Sequence, residues 1–323
     1  MKKSLLALAV LGAFAGVANA QTNVTVYGVA DIGFGRDRTL DVNKFDATRG
    51  AKIGNKSQML GNSAMNNGNS RLGFRGTEDL GGGLKASFNF EQGINLETGA
   101  TEANTYARQA NVSLGGNWGT VTFGRQFNAQ YHAIAAYDLT GTANYSLNGR
   151  QFGYPVRTNS LTKYTSPNFN GFTAMVEFAT EHDLGATDPQ YGLGLIYKGG
   201  PISASLSYTR LSAENPVTGD GDSDWTIGGA YDFGMFKVAA SYLDLDRNNS
   251  KGFTLGASTN FGPVTLTFDA GRQTEDVGNE ENTDYLLEAK YSLSKRTFVY
   301  GAFYHEGEDG GENSFGLGLR HNF

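Results

Sequence analysis

Any chemistry in this chain must rest on arginine, carboxylate or histidine, because its 323 residues include no cysteine. That excludes thiolate catalysis, a disulfide framework and cysteine-based zinc sites. The four histidines, His132, His182, His305 and His321, stand in no nucleophile or zinc motif of the G-x-S-x-G or H-E-x-x-H kind. Gly192-Leu193-Gly194 falls inside an alternating segment, not at a strand-to-helix turn, so it makes no nucleotide cradle. Asp220-Gly221-Asp222-Ser223-Asp224 lacks the terminal bidentate carboxylate of a calcium loop. No metal site, no cofactor and no enzymatic activity are therefore expected. What remains is regularly spaced basic charge. Arg71 and Arg75 share one face of SRLGFRG, opposite Leu72 and Phe74, and Lys85 follows on the wet face of LKASFNFEQG. Two arginines on the polar side of a strand fit a wall whose inner side meets water.

The elements that carry those residues are strands. Leu84, Ala86, Phe88 and Phe90 alternate with Lys85, Ser87, Asn89 and Glu91, the period of a half-buried strand. The Gly81-Gly82-Gly83 turn joins this run to the one before it. The pattern repeats along the whole chain. Alternating segments of about 8–11 residues end by turns in short Gly, Asn or Pro turns and in longer polar loops. About sixteen such segments can be counted, an even number that puts both termini at the short-turn end. Phe172, Ala174, Val176 and Phe178 form one apolar face, and Tyr191, Leu193, Leu195 and Tyr197 another. Aromatics at strand ends with small aliphatics between them match a membrane with two interfaces. The fold expected is an all-β transmembrane antiparallel barrel with short periplasmic turns and long extracellular loops, not a sandwich, which needs no alternation of turn length.

The first twenty residues read as an export signal. Lys2 and Lys3 precede an apolar run, and Ala18-Asn19-Ala20 makes an A-x-A cleavage site, so the barrel domain should occupy 21–323. Without those lysines 24 basic residues face 32 acidic ones, a formal charge of −8 that offers no footprint for nucleic acid. No later apolar run reaches the length of about 20 residues that a membrane helix needs. The negative mean hydropathy is that of a soluble chain, but a barrel with a polar lumen gives the same average.

Several stretches resemble the trimeric general porins of Gram-negative outer membranes, in their β-proteobacterial branch. They are Val24-Thr25-Val26-Tyr27-Gly28-Val29-Ala30-Asp31, the hairpin at 70–85, and Gly119-Thr120-Val121-Thr122-Phe123-Gly124-Arg125-Gln126. Tyr164-Thr165-Ser166-Pro167 and the terminal Gly318-Leu319-Arg320-His321-Asn322-Phe323 complete the set. The resemblance spans essentially the mature chain. It implies sixteen strands, a homotrimer in the outer membrane beside lipopolysaccharide, and passive diffusion of small hydrophilic solutes. It also implies that the barrel-assembly machinery reads the terminal strand ending in Phe323.

In that family the third extracellular loop folds into the barrel, and residues 127–159 occupy its place here. This segment carries Asp138 as its one acidic side chain, with His132, Arg150 and Arg157. Arg71, Arg75, Lys85 and Lys163 face the lumen by alternation, and Arg125 belongs at the root of the loop. The expected constriction sets Arg71, Arg75 and Arg125 on the wall against Asp138 on the loop. Opposed charges across a narrow passage orient dipolar solutes and set ion preference. Acidic stretches near 220–224, 275–281 and 306–312 make the outer mouth negative. Their charge is screened within about 8–10 Å at physiological salt, so the constriction should dominate and lean the channel weakly towards anions. Two rival functions use the same barrel. A substrate-specific channel needs aromatics along the lumen, for which only Tyr137, Tyr145, Phe152 and Tyr154 of the loop are candidates. An adhesin or receptor needs no open passage.

Overall fold

The computed structural model describes residues 23–38, 57–180, 189–210, 223–275, 281–307 and 311–323. The export signal, and the acidic residues at 220–222, 276–280 and 308–310, lie outside them. The chain opens with β1 (Asn23–Arg36), β2 (Gln58–Leu60), β3 (Arg71–Gly81) and β4 (Leu84–Gly93). Then come β5 (Gln109–Gly116), β6 (Gly119–Phe127), β7 (Arg157–Thr158), β8 (Leu161–Thr165) and β9 (Phe172–Ala179). The second half runs through β10 (Gln190–Gly199), β11 (Ile202–Arg210), β12 (Ser223–Asp232), β13 (Phe236–Leu245) and β14 (Ser250–Phe261). It ends with β15 (Val264–Glu275), β16 (Asn282–Ser292), β17 (Thr297–Glu306) and β18 (Glu312–Asn322).

Every strand pair is antiparallel, and β1 closes the ring. It pairs with β18 from Val29 opposite Asn322 to Arg36 opposite Phe315, and with β3 from Asn23 opposite Thr77 to Val29 opposite Arg71. β2 and β7 are short additions beside the outer ends of β1 and β6. The other strands make a sixteen-stranded barrel. Closure leaves no unpaired edge, which is what allows a sheet to stand in hydrocarbon. The short turns gather at one end. Gly81, Gly82 and Gly83 all have positive φ there, as the first hairpin requires.

The two faces separate by parity. Val176, Leu193, Leu206, Leu255, Leu287 and Leu317 are exposed apolar residues on the outside. Ser205, Ser207, Thr226, Ser241 and Thr254 are buried on the inside, and pairs such as Ser207 with Thr226 (2.7 Å) and Ser241 with Thr254 (2.6 Å) bond one another. The buried apolar residues gather where residues 127–159 meet that inner face. One cluster joins Tyr145 and Leu147 to Leu286, Tyr300, Ala302 and Tyr304. The other joins Ile134, Tyr137, Phe152 and Tyr154 to Ala230, Leu243 and Leu245.

Candidate functional site

Basic side chains converge on one stretch of inner wall. Arg71, the first residue of β3, sets its Nε 3.5 Å from Oε2 of Glu91 on β4. Arg108, at the bend before β5, sets its Nε 2.7 Å from the other oxygen of the same carboxylate. Tyr27 donates to Glu91 at 2.9 Å and to Asn89 at 2.8 Å. Two guanidiniums thus share one carboxylate, and the group keeps a net positive charge. Arg157 of β7 lies over the Phe127 ring, 4.5 Å from its centroid. Arg320 of β18 donates to Asn67 Oδ1 at 2.8 Å. Arg71, Arg108, Arg157 and Arg320 all line one cavity of about 430 Å³, across from Tyr131, Thr142, Ala143 and Asn144. Among the described residues that line it there is no carboxylate.

The segment between β6 and β7 is held against the inner wall at both ends of its course. A helix at Ala129–Ile134 begins at Asn128, whose Oδ1 accepts from Tyr131 N–H at 2.9 Å. Glu177 of β9 accepts from Ala129 N–H at 2.8 Å, a carboxylate on the exposed donors of a helix start. Ser205 donates to the Ala133 carbonyl at 2.6 Å. Further along, Lys290 donates to the Thr140 carbonyl at 2.8 Å, and Tyr145 donates to Glu288 at 2.5 Å. Gln151 then donates to Asn282 Oδ1 at 2.7 Å.

The other residues singled out from the sequence are dispersed. Arg75 is exposed on β3, its guanidinium 4.8 Å from the Tyr27 ring centroid, in a second polar cavity of about 410 Å³ nearer the short turns. Lys85 is exposed beside the first turn, opposite Asp79. Arg125 does lie at the root of the long segment, where NH1 donates to Asn159 Oδ1 at 2.6 Å and Nε to the Ala107 carbonyl. Lys163 departs from expectation. It is 5% exposed, donates to the Phe127 carbonyl at 2.5 Å and stands opposite Glu177, buried at the root of the long segment.

Asp138 departs further. Its Oδ1 accepts from Thr140 N–H (2.9 Å), Thr140 Oγ1 (2.6 Å) and Thr142 N–H (3.1 Å), and its Oδ2 from Ser146 Oγ and from Asn148 Nδ2 (3.1 Å). All of these donors belong to its own segment. The carboxylate ties an internal knot, and among the described residues no arginine pairs with it. His132 adds no charge either. Burial, and then the neighbouring Lys163 and Lys198, push its pKa down to about 3, so the ring is neutral at physiological pH.

Sequence reasoning missed Arg108 and Arg320 and noted Arg157 only as loop content. Parity could have found Arg320, since Leu317 and Leu319 are exposed outside and Arg320 alternates with them. Parity would have misplaced Arg108, because the chain bends there, with Ala107 N–H bonded to the Asn104 carbonyl.

A closed antiparallel wall, apolar outside and lined inside by polar groups, defines a membrane β-barrel. The chain belongs to the Gram-negative porin family, whose model matches residues 7–311. It is 30% identical to an outer membrane porin protein of Bordetella pertussis over the full length of both. It is 34% identical to outer membrane porin protein 32 of Delftia acidovorans, across 93% of this chain and 88% of the relative. Among solved structures it matches an anion-selective porin from Comamonas acidovorans with a TM-score of 0.71 and 25% identity, covering 94% of this chain and all of that one. An outer membrane protein of Vibrio cholerae matches with a TM-score of 0.67 at 16% identity, a likeness of fold alone. The protein is an outer-membrane porin.

Proposed function

We propose that this porin is a general diffusion channel leaning towards anions, and that its constriction is the gap between Arg71, Arg108, Arg157 and Arg320 and residues 127–159. The observation that carries this reading is a cavity lined by four arginines and, among the described residues, no carboxylate. In a low-dielectric wall such a cluster focuses its field on the passage, so a small anion regains from the guanidiniums what it loses in hydration. Arg75 and Lys85 continue the positive potential towards the short-turn end, and Arg125 fixes the loop root beside Arg157. Neutral hydrophilic solutes pass by size alone. The channel works as a homotrimer beside lipopolysaccharide, and Phe323 is the residue by which the assembly machinery takes up the last strand.

Of the four loop aromatics, Tyr137, Tyr145 and Phe152 are buried against the wall, and Tyr154 alone lines the cavity, so they form no continuous track for a substrate-specific channel. Solute flux into proteoliposomes tests the difference. A general porin gives rates linear in sugar concentration and falling steeply with solute size. Saturation by one solute class would overturn the reading.

A further inference from the structure

The lipid-facing side of the barrel is not even. A groove of about 660 Å³ crosses the outer surface of neighbouring strands, from β15 through β16, β17, β18 and β1 to β2. One of its walls is a row of side chains paired from strand to strand, Ile32 with Leu319, Leu319 with Val299 and Val299 with Tyr291. The other begins with Phe34 beside Leu317 and then drops to Gly301 and Ala289, which have little or no side chain. Gly33, Gly318 and Tyr300 line the groove between the two rows. The Tyr300 ring is buried on the lumenal side, so the floor there is main chain.

The groove is inclined across the wall, because strands in such a barrel tilt by about 35–45°. It starts at Val264 and Tyr291, next to short turns, and ends at Phe34 and Met59, near the outer ends of β1 and β2. Inter-strand spacings of about 4.8 Å make it roughly 24 Å long, whereas one leaflet of a hydrocarbon core about 30 Å thick is about 15 Å deep. A whole acyl chain fits along it. Lys290 borders the groove but sends its ammonium to the Thr140 carbonyl in the lumen. The charge on the lipid side is at the outer end. Arg36 lies two residues beyond Phe34 on the same face of β1, its guanidinium 5.8 Å from the Phe315 ring centroid. One nitrogen donates to the Asn313 carbonyl at 3.4 Å. Among the described residues Nε has no hydrogen-bond partner and the group has no carboxylate partner.

Resting on the outer-membrane placement above, we infer that this groove is a lipid site, which holds one acyl chain of an outer-leaflet lipid while the lipid's anionic phosphate headgroup pairs with Arg36. Hydrocarbon tails are as apolar as leucine, so no hydrophobic gain favours this place over any other on the wall. What favours it is close packing of the chain between two rows of side chains and a charge-assisted bond at one end. A second copy of this chain is the rival occupant. It would press the Arg36 charge against an outer face that is itself largely apolar, and an unpaired buried charge is costly. A phosphate pairs that charge instead.

The probe is phosphatidylglycerol, added to the full-length protein in a neutral detergent and counted per chain by native mass spectrometry. Gly301→Leu fills the groove, since a Cβ there meets only Leu317 Cδ2 at 3.0 Å, a side-chain end that can turn aside. Arg36→Gln removes the charge and leaves the groove open. Folding of each variant is checked by its conductance in planar bilayers, which neither change should alter. The expected result is one retained lipid per parent chain, lost in Gly301→Leu and held about tenfold more weakly by Arg36→Gln. No retained lipid in the parent, or equal retention in all three proteins, would overturn the lipid site and leave the porin reading standing. A lipid-free parent whose oligomer falls apart in Gly301→Leu would give the groove to a second copy and overturn it too. Lipid retained as expected by a folded barrel that does not conduct would support the site and sink the porin reading alone.

Discussion

Two stretches of the lumenal wall treat their charges in opposite ways. On the side of β3 to β5, Arg71 and Arg108 share the single carboxylate of Glu91, so positive charge is left over. On the side of β16 and β17 the carboxylates are taken up. Glu288 is fully buried, 3.0 Å from Lys290 and bonded to Tyr145 OH, and Asp284 accepts from Tyr304 OH and from Gly307 N–H at 2.9 Å. Asp269 of β15 is the exception there, without a hydrogen bond or ion pair among the described residues. The lesson is that a count of lumenal charges does not give the field at the passage. A carboxylate that accepts from tyrosine, amide and lysine is a fastening for a loop, while an arginine with half a partner is a source of potential.

That contrast predicts that variants of the β3–β5 wall alter selectivity and variants of the β16–β17 wall alter loop order. The largest effect on ion preference belongs to Arg71→Gln combined with Arg108→Gln. The pair leaves Arg157 and Arg320 against an unpaired Glu91, so the zero-current potential under a KCl gradient should fall towards zero while keeping its anion-favouring sign. An unmoved potential would erase the difference between the walls. Lys290→Met acts on stability instead. Removing one partner of a buried pair costs about 3–5 kcal/mol, seen here as a lower urea midpoint and noisier open-channel current. Asp138→Asn is smaller, roughly 1.5–3 kcal/mol for the charge-assisted bonds of its knot. Current noise should rise while the potential stays put, because Asp138 lies tied within its own loop.

The smallest effect is in pH. His132 has a folded pKa pushed down to about 3 and an ordinary unfolded one. Between pH 3 and about 6.5 the unfolded chain therefore binds more protons than the folded one. The contribution is fully present above about pH 6.5 and is lost as pH falls towards 3. His132→Gln should flatten that part of the stability profile measured by urea titration, and leave conductance between pH 6 and 8 unchanged. A slope equal to that of the parent protein would contradict the half-buried, neutral ring.

The wall was legible in the sequence because a barrel repeats one rule, alternate residues to lipid and to water, and the strands from β9 to β18 obey it almost without exception. Arg71 and Arg75 followed from the same rule. Alternation says nothing about what crosses the lumen, and there the reading ran out. Asp138 looked like an acid facing the arginines because it is alone in its loop, yet Thr140, Ser146 and Asn148 lie close enough in sequence to close it off locally. Lys163 has the right parity and is still buried, because its ammonium is taken by the Phe127 carbonyl at the root of the loop, opposite Glu177. Residues 61–69 leave the wall between β2 and β3, and nothing in their composition tells an inward excursion from an outer loop. These are contacts between distant parts of the chain, which no local period encodes.

The most direct test of the central claim is the zero-current potential of the refolded parent protein in a planar bilayer under a KCl gradient. A potential of the sign that favours chloride would show the uncompensated arginines governing the passage over the acidic mouth. A potential favouring potassium in a correctly folded, conducting channel would contradict that account.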